Sequence, residues 1–181
     1  MSYLKADVLE REGPNGETFS GDSDLMLADF IWKWSPNGNA KNTNLSLQAE
    51  FFQRTERGEL NTIEHQSTTI TSHKSGWYAQ AVYQFNPQWR IGLRYDSLLA
   101  DDLAEIVNSN DGEVSLANYS GSVFDNSNHS PRQTSVMIDW NNSEFSRLRL
   151  QYSRDRSSLQ TANLWTLQYT AAFGAHGAHS F

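Results

Sequence analysis

The chain has 181 residues, a formal net charge of −7 and no cysteine. This length fits one domain, the negative charge argues against nucleic acid as a partner, and the lack of cysteine excludes disulfides and thiolate metal sites. A transmembrane helix is excluded because no run of about 18 apolar residues is present. Transmembrane strands are not excluded, since their alternating pattern is averaged away in a mean hydropathy of −0.64.

Period-two alternation of apolar and polar residues predicts eight β-strands along the chain. The first is weak, with Leu4, Ala6 and Val8 on the apolar side and Lys5 and Asp7 on the other. The apolar sides of the remaining seven run from Met26 to Trp34, Leu45 to Phe51, Trp77 to Phe85, Trp89 to Tyr95, Thr134 to Trp140, Leu148 to Tyr152 and Trp165 to Ala175. Strands of about 9–11 residues cross a bilayer when they are tilted.

The connections between these strands fall into two classes. Short turns rich in Asn, Pro and Gly are predicted at 36–39, 86–88 and 141–144, and longer loops at 10–22, 57–75, 97–131 and 155–162. When Phe181 is placed on the periplasmic side, every short turn falls on that side. Short periplasmic turns and long outer loops are typical of outer-membrane barrels. We therefore predict an all-β, up-and-down antiparallel transmembrane barrel over residues 1–181.

The aromatic residues indicate which side of the strands meets lipid. All six tryptophans lie on the apolar side, near strand ends, where amphipathic rings prefer the membrane interface. The predicted interface aromatics are Trp34, Phe85, Trp89 and Trp140 near the short turns, and Trp77, Tyr95, Tyr152 and Trp165 near the loops. The alternative is a soluble β protein in which the polar side is simply the solvated exterior.

The other side of the strands is charged and is predicted to line a lumen. Its charged residues are Asp29, Lys33, Glu50, Arg90, Arg94, Asp139, Arg147 and Arg149. Hairpin register predicts that Asp139 faces Arg147 and that Gln84 faces Arg90. These charges either select solutes or form an ion-pair network that fills a narrow barrel, because an eight-stranded interior has room only for side chains.

The C-terminal strand resembles the signal that the barrel-assembly machinery reads, with Tyr169, Phe173 and the terminal Phe181 on its apolar side. Three stretches, 25–38, 76–85 with 89–96, and 174–181, resemble the C-terminal part of larger proteobacterial outer-membrane proteins described as porin-like or as zinc-regulated TonB-dependent receptors. The resemblance implies location in the outer membrane of a Gram-negative bacterium. No plug-like or TonB-box-like segment is found, so energy-coupled uptake by this chain alone is not expected. Because Met1 to Asp7 is not a signal peptide, this reading implies a trimmed N-terminus or the tail of a longer chain.

Two functions fit this architecture. The first is a pore that passes small solutes or ions across the outer membrane, and the second is a closed eight-stranded barrel with a structural, adhesive or recognition role carried by its outer loops. Expected partners are outer-membrane lipid and lipopolysaccharide, the barrel-assembly machinery, and small solutes or metal ions. No catalytic constellation or cofactor motif is identifiable, so an enzyme is not predicted. No resident metal is predicted either, since His176 and His179, three residues apart on a strand, point to opposite faces.

Overall fold

A computed structural model describes residues 1–13, 16–61, 67–99, 105–109, 129–143, 145–158 and 160–172. This part of the chain is all-β apart from one 3-10 turn at Pro36–Gly38. No helix in it is long and apolar enough to cross a membrane. The strands are β1 Ser2–Glu12, β2 Thr18–Trp34, β3 Asn44–Asn61, β4 Ser67–Asn86, β5 Trp89–Leu99, β6 Glu105–Ser109, β7 Arg132–Ser143, β8 Ser146–Arg156 and β9 Ala162–Ala171.

The strands form one antiparallel meander. Its order is β1-β2-β3-β4-β5-β7-β8-β9. The short β6 pairs with residues 68–71 of β4, beyond the stretch of β4 that pairs with β5. The all-β, up-and-down architecture predicted from the alternation is therefore confirmed. Across the described residues the sheet is open, because β1 pairs only with β2 and β9 only with β8. Closure into a transmembrane barrel stays a prediction.

The two faces of the sheet differ in burial. We call the face that carries Asp139 the inner face and the face that carries Trp140 the outer face. Of the buried strand residues other than glycine, ten lie on the inner face: Phe19, Ser23, Glu56, Leu60, Thr68, Ile70, Ser72, Ser135, Asp139 and Ser153. No second layer covers the sheet in the described part of the chain. One-sided burial in a single twisted sheet means that it curves around the inner face.

Strands β2, β3 and β4 are much longer than the alternation predicts. They have 17, 18 and 20 residues, so most of the loops predicted at 10–22 and 57–75 are strand. We call this part, Thr18–Asp24 with Thr55–Asn61 and Ser67–His73, the extension. On its inner face Phe19, Leu60 and Ile70 form a small buried apolar cluster, which explains why these segments keep pairing beyond the alternating region.

The apolar residues of β1 lie on the opposite face of the sheet from the apolar residues of the other predicted strands. Leu4 pairs with Leu25 and Ala6 with Ser23, so the apolar side of β1 lies on the inner face. The expectation that this side continues the lipid-facing surface is wrong. The weak alternation of β1 could not decide its orientation, because the register with β2 sets it.

Candidate functional site: the charged inner face

A buried ion cluster occupies the inner face of β5, β7 and β8. Register places Arg90, Asp139 and Arg149 on one rung of the sheet. Asp139 is fully buried and accepts two hydrogen bonds from Arg149, Nε to Oδ1 at 2.7 Å and Nη2 to Oδ2 at 3.0 Å. The Arg90 Nη2 lies 3.4 Å from Asp139 Oδ2. The bidentate geometry is the strong form of a charge-assisted hydrogen bond. One carboxylate thus serves two guanidinium groups.

The register corrects one predicted contact and confirms the other. Arg147 faces Asn141 rather than Asp139, because β7 and β8 stay paired as far as Ser143 and Ser146, inside the segment predicted as a turn. The predicted Asp139–Arg147 contact is therefore wrong, and Arg149 takes that place. The predicted pairing of Gln84 with Arg90 is confirmed.

Arg94 belongs to a second cluster on the inner face of β3, β4 and β5. Its Nε and Nη2 donate to the carboxylate of Asp96 at 2.6–3.0 Å, and its guanidinium lies 4.0 Å from the centre of the Tyr78 ring. The Tyr78 hydroxyl donates to Glu50 Oε2 at 3.2 Å and accepts from Gln48 Nε2 at 2.7 Å. The positive charge of Arg94 is thus balanced within its own cluster, by the Asp96 carboxylate and by the face of the Tyr78 ring.

Two of the predicted inner charges stand apart from both clusters. Asp29 and Lys33 lie on β2, and both are exposed. Asp29 pairs in register with Glu50 and lies 3.8 Å from the terminal amino group of Met1. Lys33 pairs with Ser46. The structure places both on the inner face but brings neither to Asp139.

A third ion cluster lies where the extension begins, and the sequence pattern missed it. Glu56 is 2% exposed and accepts from Arg11 at 2.7 and 3.2 Å, while Arg54 Nη2 lies 2.6 Å from it. Desolvation, reinforced by the guanidinium groups of Arg11 and Arg54 and partly offset by Glu56, lowers the pKa of the Lys74 ammonium group. Arg11 and Lys74 were expected in loops, and Arg54 and Glu56 lie beyond the last alternating residue of their strand, Phe51, so no alternation marked them as facing inward.

A cavity lies at the turn end of the inner face, and no carboxylate among the described residues that line it balances its positive charge. It measures about 620 Å³ and lies between the β4–β5 and β7–β8 turns, with Arg90 and Arg147 in its wall. The Nε atoms of both arginines are shielded from solvent and have no hydrogen-bond partner. None of the described residues that line this cavity is a carboxylate.

On β5, β7, β8 and β9 the outer face is apolar near the turns and becomes polar further along the strands. Next to the turns lie Trp89, Trp140, Leu148 and Tyr169; the next rungs are Ile91, Ile138, Leu150 and Leu167, then Leu93, Val136, Tyr152 and Trp165, then Tyr95, Thr134, Arg154 and Asn163. Aromatic rings touch at both ends, with centroids 6.4 Å apart for Trp89 and Trp140 and 5.0 Å for Tyr152 and Trp165. The apolar surface is thus a band bounded by aromatic rings.

The predicted interface aromatics all lie on the outer face. Those nearest the turns are Trp34, Phe85, Trp89 and Trp140, and Trp77, Tyr95, Tyr152 and Trp165 lie toward the other end of the strands. Trp165 is 70% exposed and Trp34 48%. Their contact with a membrane interface stays a prediction. Of the predicted insertion signal, Tyr169 is exposed on the edge strand β9, and Phe173 and Phe181 lie outside the described residues.

The histidines inside the described ranges make ordinary polar contacts. His73 Nδ1 lies 3.1 Å from Thr55 Oγ1, and His129 Nε2 lies 2.9 Å from the carbonyl oxygen of Arg156. His65, His176 and His179 lie outside those ranges. The described residues contain no group of three or more His, Asp or Glu that could hold a metal ion.

Comparison with known proteins gives one match to a curated protein. The chain is 29% identical over 142 residues to a protein of Aquifex aeolicus (strain VF5) described as an uncharacterized protein. The match covers 76% of this chain and 27% of that protein, so the chain spans about a quarter of the length of the relative. No family model and no solved structure matches the chain. The resemblance to porin-like and TonB-dependent outer-membrane proteins therefore stays a prediction.

Proposed function

We propose that this protein forms part of the wall of a β-barrel pore in the outer membrane of a Gram-negative bacterium and passes small solutes. The observation that carries the proposal is that the apolar residues of the outer face are confined to one band. Beyond that band, the outer face of the extension is polar and charged, with Asp22, Asp24, Thr55, Arg57, Glu59 and His73. A sheet that packs against a layer of protein would not need its apolar residues to end at one level along the strands.

The dimensions of the band agree with a membrane. Trp77 and Phe85 bound the band on β4 and are eight residues apart. Eight residues of strand span about 27 Å, and a tilt of about 40° reduces this to a height near 20 Å, comparable with the lipid-facing band of outer-membrane barrels. The extension would then project from the membrane on the side away from the short turns.

The inner face supports a pore rather than a packed interior. Arg90, Arg94, Arg147 and Arg149 lie on it, and the cavity at its turn end is open. Eight strands close around a space that side chains fill. The described edges of β1 and β9 are unpaired, so we propose that further strands complete a wider barrel there. Energy coupling through TonB is not part of this proposal.

Conductance tests the pore directly. The barrel purified from the outer membrane with all the strands that complete it, and reconstituted into planar lipid bilayers, is expected to give stepwise single-channel currents. A protein that inserts into the bilayer but carries no current at any voltage rules out the pore.

Substitution of Leu150 tests the membrane location separately. Leu150 lies in the middle of the apolar band and is 42% exposed, whereas the adjacent Gln151 lies on the inner face. Leu150→Arg is expected to weaken folding into lipid vesicles by about 2 kcal/mol, because a charge at the bilayer midplane must be desolvated. Gln151→Arg, the matched control, should fold almost as well as the natural protein. The measurement is the urea midpoint of folding in vesicles, and equal midpoints for the two variants would exclude lipid contact at Leu150.

A further inference from the structure

The cavity between the β4–β5 and β7–β8 turns carries an unbalanced positive charge. Arg90, Arg147 and Arg149 lie around this end of the inner face, and among the described residues the carboxylate that contacts Arg90 and Arg149 is that of Asp139. Asp139 is already held bidentately by Arg149. Two positive charges therefore remain in excess among the described residues of this region.

Within the part of the chain that the structure describes, Arg147 has no ion-pair partner of its own. It makes no ion pair with a described residue, and its Nε is shielded from solvent without a hydrogen bond. Arg90 is only partly satisfied, since its Nη2 reaches Asn141 Oδ1 at 3.3 Å and Asp139 at 3.4 Å, while its Nε also has no partner. A shielded donor without an acceptor costs folding free energy. An anion in the cavity would offset the charge of these guanidinium groups by accepting hydrogen bonds from their terminal Nη groups.

The cavity has the size and the chemistry for a small anionic solute. Its volume of about 620 Å³ lies within the range of ligand sites in proteins. The planar guanidinium fork matches the oxygen pairs of phosphate and carboxylate groups better than an ammonium group does. Polar side chains of Ser146 and Thr170 also line the cavity and offer hydroxyl groups.

From these observations we propose that the cavity lined by Arg90 and Arg147 binds oxyanions and makes the pore selective for small solutes that carry phosphate or carboxylate groups. This inference rests on the proposed function for its role in transport, because the site lies at the periplasmic end of the inner face only if the short turns are periplasmic. Binding itself does not depend on that orientation.

Titration calorimetry of the folded protein in detergent micelles with inorganic phosphate tests the binding. The natural protein is expected to bind phosphate, and Arg147→Gln is expected to weaken binding on the order of ten-fold through the loss of one charge-assisted contact. Arg147→Lys should lie between the two, since it keeps the charge but loses the fork. Arg154→Gln is the matched control, because it removes the same charge from the outer face of the same strand.

The outcomes separate this inference from the proposed function. If phosphate does not bind, or if Arg154→Gln weakens binding as much as Arg147→Gln, the anion site is wrong whether or not the protein conducts. Reversal potentials in a potassium chloride gradient then test selectivity: chloride is expected to be preferred over potassium, and Arg147→Gln should reduce that preference. Conductance that is unselective and insensitive to phosphate overturns the role of the site in transport while leaving the pore intact.

Discussion

Asp139→Asn is expected to lower the free energy of unfolding by about 4 kcal/mol, because removal of one partner from a buried ion cluster leaves its charges uncompensated. Asp139 is fully buried, and its carboxylate contacts Arg149 at 2.7 Å and Arg90 at 3.4 Å. Asparagine has nearly the same shape, so the change removes charge without opening a void. Its amide group also turns one acceptor oxygen into a donor that faces a guanidinium group.

Asp29→Asn is the matched control for this prediction. Asp29 is an inner-face aspartate on β2, but its side chain is 60% exposed and its partner, the Met1 amino group, is 3.8 Å away. Exposed pairs contribute little, so the expected change is below about 0.5 kcal/mol. Urea unfolding of both variants in detergent micelles, followed by tryptophan fluorescence, gives the comparison. Equal midpoints for the two variants would mean that Asp139 does not hold the cluster together.

The sequence predicted the eight main strands and their order because one face of each strand is apolar and the other is not. That contrast is strong where the outer face forms the apolar band, as from Trp77 to Phe85. It is absent in the extension, where Ser67 to His73 carries polar residues on both sides. Periodicity therefore had no signal there, although Thr and Ile favour strands. The strand pairing of the extension is determined by its partners and by the small cluster around Phe19.

The alternation predicted which residues lie in the candidate site but not which of them contact each other. Alternation placed Arg90, Asp139 and Arg149 on one side of their strands, and the structure brings these three together. It could not predict which pairs touch, because β7 and β8 stay paired as far as Ser143 and Ser146, inside the predicted turn, so that the residue facing Asp139 lies two positions further along β8 than predicted. The position of Arg147 opposite Asn141, without an ion-pair partner among the described residues, follows from that register. The turn residues alone do not reveal this register.

Gly58 is the second position where a single change has a large expected effect. It pairs with Gly21 across β2 and β3, in the middle of the extension. A Cβ atom on Gly58 would lie 2.1 Å from the carbonyl oxygen of Ser20 and 2.7 Å from the Cα of Gly21. Both are backbone atoms of the neighbouring strand, which cannot move without breaking the ladder. The close approach of the two strands therefore requires glycine.

Gly58→Ala is expected to destabilise the protein by about 3 kcal/mol through this overlap. Gly92→Ala is the matched control, since Gly92 is also an inner-face strand glycine, but the atom nearest its Cβ position is the Met137 Cε at 2.5 Å. A flexible methionine can rotate away, so that cost should stay below about 1 kcal/mol. Amide hydrogen exchange would show the difference locally, with faster exchange along β2 and β3 in Gly58→Ala only. If both variants unfold at the same urea concentration, the two strands do not approach closely at Gly21 and Gly58, and the extension has another geometry.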